Sequence, residues 1–396
     1  MIGAAGHVYA ARAIRDLGDG FVAILLPVYL TSLGLSVFDV GLVATLALFG
    51  SAILTLSIGT LGARHDHRNL LLAASALMAA TGIAYADASD YWVLLLEAFV
   101  GTINPSGGGT SIFVPLEHAV LSRAVSAAAR THAFARYSLI GALAGAVGAL
   151  LAAAPEWLAP LGVGRLDALK AMFVCYAVLG VLGGLVYRRI PVPPPVPGIQ
   201  PATALGPSRR IVYRLAALFC IDSFAGGFVV QSLLALWLFQ RFDLSLTDAS
   251  LFFFWTGVLS AFSFPVAAWI GARIGLVNTM VFTHIPSSLC LIAAAFTPSL
   301  EWVLALLLLR AALSQMDVPT RSSYVMAVVT PPELAAAASV TAVPRSLASA
   351  ASPAIAGALF AAGYAAWPLL LCGGLKILYD LLLLAAFRNI KPPEEN

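Results

Sequence analysis

The chemistry open to this sequence rests on a few ionisable side chains set in long apolar stretches. Arg12, Arg15, Asp16 and Asp19 fall in the first stretch, Glu97 in the fourth, Asp222 in the seventh, Arg310 in the tenth, and Lys376 and Asp380 in the twelfth. A charge at membrane depth costs roughly 2.5–3.5 kcal/mol on insertion scales, so each needs a partner or a task. Arg12 with Asp16, and Arg15 with Asp19, are spaced i,i+4 and can neutralise each other along one helix face. Asp19 lies deeper and precedes Gly20, so a buried pair and a cavity-facing carboxylate are equal readings. Asp222 has no basic residue within four positions, and a carboxylate in such surroundings is suited to taking up and releasing a proton. Glu97 and Arg310 lack an opposite charge one helical turn away. Both are candidates for binding a charged solute, and Glu97 joins Asp19 and Asp222 as a proton-coupling candidate. Lys376 and Asp380 are i,i+4 and are expected to neutralise each other, with solute binding as their second reading. Asp317 and Arg321 share that spacing, and Pro319 between them is expected to bend its helix.

These side chains must be held by membrane-spanning helices. The 396 residues are 60% hydrophobic and 10% charged, with a mean hydropathy of +0.92, against roughly 25% charged in ordinary soluble domains. A helix needs roughly 20 apolar residues to cross the hydrocarbon, and windows of that length fall at approximately 12–33, 38–60, 70–88, 92–114, 132–153, 169–188, 212–238, 248–270, 278–297, 302–323, 339–362 and 366–387. The alternating segments of a membrane barrel are absent. Charges interrupt the first apolar stretch and no small-residue cleavage site follows it, so the first helix is expected to be retained. Cys175, Cys220, Cys290 and Cys372 all fall inside expected spans, which points to packed free thiols. With a cytoplasmic N-terminus, seventeen of the 22 Lys and Arg residues fall on the inner side, so both termini are expected in the cytoplasm and the chain in the cell's inner (plasma) membrane. Trp92, Trp157, Trp302 and Trp367 fall at expected outer ends, as an interfacial belt requires.

Within the fourth span, Asn104-Pro105-Ser-Gly-Gly-Gly109 predicts a break. Irregular backbone at depth is tolerated only against protein or a water-filled cavity, so Asn104 is a candidate for lining a solute pathway. Glu117-His118 beyond it reads as a solvated loop or part of a gate. No Gly-x-Ser-x-Gly, His-Glu-x-x-His or phosphate-cradling Gly-x-x-x-x-Gly-Lys occurs, so no enzyme and no cofactor is expected. His65-Asp66-His67 sits among basic residues and is not read as a metal site.

The sequence repeats at offsets of 207 to 210: Gly20-Phe21-Val22 with Gly227-Phe228-Val229, Leu35-Ser36 and Asp39 with Leu244-Ser245 and Asp248, Gly62-Ala63-Arg64 with Gly271-Ala272-Arg273, Trp92 with Trp302, and Arg136 with Arg345. Between the copies lies Pro191-Val-Pro-Pro-Pro-Val-Pro197, a composition that favours an extended spacer. The expected organisation is therefore a six-helix bundle over 1–190, a linker over 191–211 and a second bundle over 212–396. Parallel six-helix repeats describe one transporter architecture.

The loop Gly59-Thr-Leu-Gly62-Ala63-Arg64-His65-Asp66-His67-Arg68 resembles the major facilitator superfamily signature, matching at Gly59, Arg64 and Arg68, with Asp66 at its second glycine and Ala63 at its acidic position. Gly271-Ala272-Arg273 is the second copy and also lacks the acid. In the family this loop latches the cytoplasmic gate, which implies such a role for Gly59, Arg64, Asp66, Arg68, Gly271 and Arg273. Gly141-Ala-Leu-Ala-Gly145-Ala-Val-Gly148 looks like the glycine-rich helix of drug/proton antiporters without its proline. Close helix packing is its plain structural reading. The resemblance implies an all-α integral membrane protein of twelve helices in two pseudo-symmetric bundles. It further implies a monomeric secondary transporter working by alternating access, most like a proton-coupled exporter of a small, partly apolar compound. Protons and the lipid bilayer are its other partners, and nucleic acid is not one. Uptake or exchange of an organic anion is the alternative, and a non-transport receptor or lipid-handling scaffold is the rival from another class.

Overall fold

The computed structural model describes residues 3–61, 66–107, 111–126, 129–191, 205–330 and 333–388. Among them every regular element is a helix: α1 (Ala4–Ser32), α2 (Val37–Leu61), α3 (His67–Asp87), α4 (Tyr91–Val100), α5 (Phe113–Ala124), α6 (Arg130–Leu151), α7 (Ala154–Leu158), α8 (Arg165–Tyr187), α9 (Arg209–Gly227), α10 (Gln231–Phe242), α11 (Leu246–Ile274), α12 (Leu276–Phe296), α13 (Leu300–Ser314), α14 (Asp317–Ala327), α15 (Leu334–Ala361) and α16 (Trp367–Phe387). The spacer 192–204 and Arg64 lie outside the described residues.

Eight helical stretches of the described residues are long and apolar enough to cross a membrane: Val37–Ser57, His67–Asp87, His132–Leu161, Arg165–Tyr187, Arg209–Phe242, Leu246–Ile274, Leu276–Phe296 and Trp367–Phe387. Each remaining expected span departs for a readable reason. Helix α1 is long enough but carries four charges, and α15 sets Arg345 among alanines, serines and prolines. The fourth span is split into α4 and α5 around Asn104-Pro105 as expected. The tenth is split at Gln315–Met316, ahead of Pro319. Pro319 thus sits in the first turn of α14 instead of bending a continuous helix, because proline is tolerated where no intrahelical donor is needed. The four tryptophans of the expected belt are all exposed.

The chain divides into two compact units. The first comprises Met1–Pro194, Val230–Val258 and Pro353–Ala361. Helix α1 runs through it, packed on α6 and α8, and α3 packs along α8. The glycine face of α6 makes this approach possible: a methyl on Gly20 would overlap the Gly145 carbonyl oxygen, and one on Gly148 would overlap that of Leu17. The Gly141–Gly148 run is therefore a packing surface here. The break between α4 and α5 is covered by α10. Ser106 N donates to Asn104 Oδ1 at 2.9 Å, and Ser232 N to the Pro105 carbonyl at 3.0 Å. Gly107 adopts φ +74°, and a methyl there would strike the Gln231 amide, so a residue with a side chain fits neither the backbone nor the space. In the same unit Glu156 accepts from Leu246 N (2.8 Å), Thr247 N (2.9 Å) and Thr247 Oγ1, supplying the first turn of α11 with the acceptors it lacks.

The second unit comprises Pro195–Val229, Leu259–Ser352 and Ala362–Asn396. Its core joins Phe219 of α9, Met280 and Val281 of α12, Tyr324 of α14 and Leu383 and Phe387 of α16. Just before α9, Gly206 N, Ser208 N (3.2 Å) and Thr330 Oγ1 (2.7 Å) all donate to the Glu333 carboxylate. Hydrogen bonds from Ser208 first, then from Thr330 and the Gly206 and Ser208 backbone, pull its pKa from 4.5 to about 2. A depressed carboxylate stabilises above its unfolded pKa and loses that contribution as pH falls through the folded one. The clamp is thus expected to hold unchanged from pH 8 to 5 and to loosen only between about 4.5 and 2. Proteolysis of the 191–211 segment followed against pH checks this, and Glu333→Gln should cut faster at every pH above 5.

Candidate functional site

Among the described residues each unit holds a buried ionic network, and in the first the spacing of α1 turns its four charges inward. In the first unit Arg12 Nε lies 2.7 Å from Asp16 Oδ2, as the i,i+4 spacing predicts. Arg15 does not reach Asp19. Its guanidinium instead meets Asp16 Oδ1 at 3.2 Å and Glu117 Oε2 at 2.7 Å, and lies 4.8 Å over the Phe113 ring. Glu117 is 0% exposed, so the reading of a solvated loop there is corrected: α5 carries the carboxylate into the unit's interior. Tyr137 and Tyr187 hydroxyls also donate to it, one to each oxygen. Arg12 Nη1 donates to the Tyr137 hydroxyl at 3.2 Å, and the His118 ring packs on Phe134 and Tyr137.

Asp19 stands slightly apart. It is 2% exposed, and its hydrogen-bond partner is the Tyr176 hydroxyl at 3.4 Å, itself 3.2 Å from the Thr102 carbonyl. Among the described residues, three carboxylates (Asp16, Asp19, Glu117) thus share two guanidiniums, leaving one negative charge in surplus when all are ionised.

In the second unit Asp222, which has no basic residue within four positions, is ion-paired through both oxygens to cations of other helices: Oδ1 meets Lys376 Nζ at 2.7 Å and Oδ2 meets Arg321 Nη1 at 3.1 Å. Arg321 also holds Asp317 at 2.9 Å, the i,i+4 pair read from the sequence. Lys376 and Asp380 do not neutralise each other. The ammonium turns to Asp222 and to His284 Nε2 (3.1 Å), while Asp380 Oδ1 lies 3.1 Å from His284 Nδ1. Arg345 Nε donates to Ser223 Oγ at 3.0 Å.

The remaining candidates are more isolated. Among the described residues Glu97 Oε2 is buried with no hydrogen-bond partner, and Arg310 makes no ion pair with a carboxylate. Arg310 lies on the stripe of α13 that buries Val303 and Leu307. Asn104 serves the turn at the α4–α5 break. In the signature loop, Gly59 ends up in the last turns of α2. Asp66 caps α3 by accepting from Arg68 N at 3.1 Å, Arg64 lies outside the described residues, and Arg273 lies 3.7 Å over the Trp269 ring while Gly271 is buried in α11.

Sequence reasoning missed His284, Tyr137, Tyr176 and Tyr187. The imidazole was findable as an ionisable group inside an apolar span. The tyrosines were not, because an aromatic in a membrane helix packs whether or not its hydroxyl finds a carboxylate.

A family model described as Major Facilitator Superfamily matches residues 8–285 and 215–396. A membrane protein of Saccharomyces cerevisiae, uncharacterized membrane protein YJR124C, is 21% identical over 419 residues, covering 97% of this chain and 94% of its own. Among solved structures, an inward-facing, occupied bacterial homolog to the human lysosomal transporter Spinster is similar with a TM-score of 0.75 at 15% identity, over 97% of this chain and 96% of that one. The human organic anion transporter MFSD10 (TETRAN) is similar with a TM-score of 0.68 at 18% identity, over 96% and 98%. Likeness at these identities is one of fold.

Proposed function

This chain belongs to the major facilitator superfamily and is a secondary transporter, and on that premise we propose that it couples proton movement to export of a small, partly apolar organic compound by alternating access, with Asp19 as the proton carrier of the first unit. The observation that carries this is the surplus charge around α1. Asp16 and Glu117 are matched by Arg12 and Arg15, whereas among the described residues Asp19 has only a tyrosine hydroxyl. A buried uncompensated charge is costly, and one proton on Asp19 makes the network neutral. Glu97 and Arg310 then serve to orient the solute. The same reading places both termini in the cytoplasm, puts the chain in the cell membrane and treats it as a monomer.

The test begins with lipophilic cations, neutral aromatics and organic anions screened in a host lacking its own exporters, followed by reconstitution with the compound found. Asp19→Asn is expected to abolish flux driven by a pH gradient while leaving solute-for-solute exchange intact. Gradient-driven flux at the wild-type rate in that variant would rule Asp19 out.

A second reading, transport of an organic anion, is favoured by one observation: among the described residues the Arg310 side chain makes no ion pair with a carboxylate. Exchange of an organic anion that is lost in Arg310→Gln and kept in part in Arg310→Lys would support it over export of a neutral or cationic compound.

A further inference from the structure

Lys376, His284 and Asp380 form a chain whose hydrogens can be assigned without choice. An ammonium has only donors, so the nitrogen it faces, His284 Nε2 at 3.1 Å, must offer its lone pair. The neutral ring then carries its hydrogen on Nδ1 and donates it to Asp380 Oδ1 at 3.1 Å. A proton added to His284 would set an Nε2–H against the ammonium, donor against donor and charge against like charge. Asp222 offers no better place, since each of its oxygens already accepts from a cation. Asp380 is different. It is 0% exposed, and its Oδ2 is buried with no hydrogen-bond partner among the described residues.

We propose that Asp380, on Oδ2, is the group that takes up a proton in the second unit, and that His284 is a positioning residue that passes its charge state to Lys376. With Asp380 ionised, the Nδ1–H bond to a carboxylate makes Nε2 a strong acceptor for the ammonium. With Asp380 protonated on Oδ2 the Nδ1–H bond survives to a neutral group, Nε2 accepts more weakly, and Lys376 is held by Asp222 alone. No other bond need break, because the proton enters at a free lone pair. The groups facing Asp380 are His284 from α12, Asp222 from α9, and Lys376 and Tyr379 on its own helix, with Arg321 and Asp317 of α14 joined through Asp222. This deepens the proton-coupled reading and rests on it for its physiological meaning, yet its test needs neither solute nor gradient.

Purified protein in liposomes is titrated and followed by infrared difference spectroscopy of the protonated-carboxyl stretch. Asp380→Asn is expected to lose one component present in wild type, and Asp19→Asn to lose a different one. A spectrum unchanged by Asp380→Asn would overturn the proposal. Nitrogen-15 histidine resonances of the wild-type protein give a reading independent of whether that variant folds, with the His284 signal assigned by its absence in His284→Gln. The Nδ1–H tautomer, whose Nε2 resonance moves at the same midpoint as the carboxyl band, is expected. An Nε2–H tautomer, or an imidazolium throughout, would overturn it. Failure of Asp19 to couple transport would leave both readouts in place, so the two ideas fail separately.

Discussion

Replacing Glu117 by alanine is expected to lower the stability of the folded chain by about 3–5 kcal/mol, the range for removing one partner of a buried ion pair. The side chain has no access to water, and it accepts from Arg15 at 2.7 Å and from the Tyr137 and Tyr187 hydroxyls. Its removal leaves one guanidinium and two hydroxyls to find other acceptors around a new cavity. Thermal unfolding in detergent micelles measures the loss, and a shift no larger than that of a surface substitution would show that Glu117 is not the hub of the network. Glu117→Gln separates charge from packing. Glutamine keeps part of the hydrogen bonding but removes one negative charge, so two carboxylates then face two guanidiniums. The variant is expected to fold better than the alanine form, while Asp19, no longer in surplus, stays ionised and gradient-driven flux falls.

The second large effect belongs to Asp222. Asp222→Asn is expected to cost about 3–5 kcal/mol, because Lys376, whose side chain is only 14% exposed, loses its carboxylate while remaining largely out of water. Arg321 is cushioned by Asp317 at 2.9 Å, so the uncompensated ammonium is the main source of the loss. Combining Asp222→Asn with Lys376→Met should recover most of the stability, since a buried pair removed as a whole leaves no charge behind. Residues in one ion pair are non-additive in this way. Losses that simply add would mean that Lys376 finds another partner and that Asp222 is not its anchor. The double variant also bears on the proton: if Asp380 retains its infrared component there, proton uptake does not depend on the Asp222–Lys376 pair.

Helix positions and charge pairings were unequally legible in the sequence. The apolar windows located the helices because burying apolar length in a bilayer leaves little freedom about where a span can lie. The break in the fourth span was readable from Asn104-Pro105 and its glycines, since the backbone there has few regular alternatives. The α6 glycines pointed to a close neighbour without saying which, and α1 turned out to be the helix that fills them. The signature loop was legible as a motif, but of its members Asp66 acts locally, as the cap of α3.

The charges show most clearly where the sequence stops. Two of the four i,i+4 pairs it offers close as expected, Arg12 with Asp16 and Asp317 with Arg321. The other two, Arg15 with Asp19 and Lys376 with Asp380, are passed over in favour of partners 102 and 154 residues away, Glu117 and Asp222. Helical spacing guarantees only that two side chains share a face. Which opposite charge wins is set by distance and alignment in a medium of low polarity, where a better-placed carboxylate from a neighbouring helix outweighs an adequate one on the same helix. The sequence alone determined the all-helical membrane class, the broken span, the glycine face and most of the buried charges, Glu117 and His284 excepted, because these follow from composition and local spacing. Only the tertiary structure decided the pairing: it gave Asp222 its two cations, set His284 between Lys376 and Asp380, and, among the described residues of the two networks, left Asp19 and Asp380 as the carboxylates without a cation in direct contact.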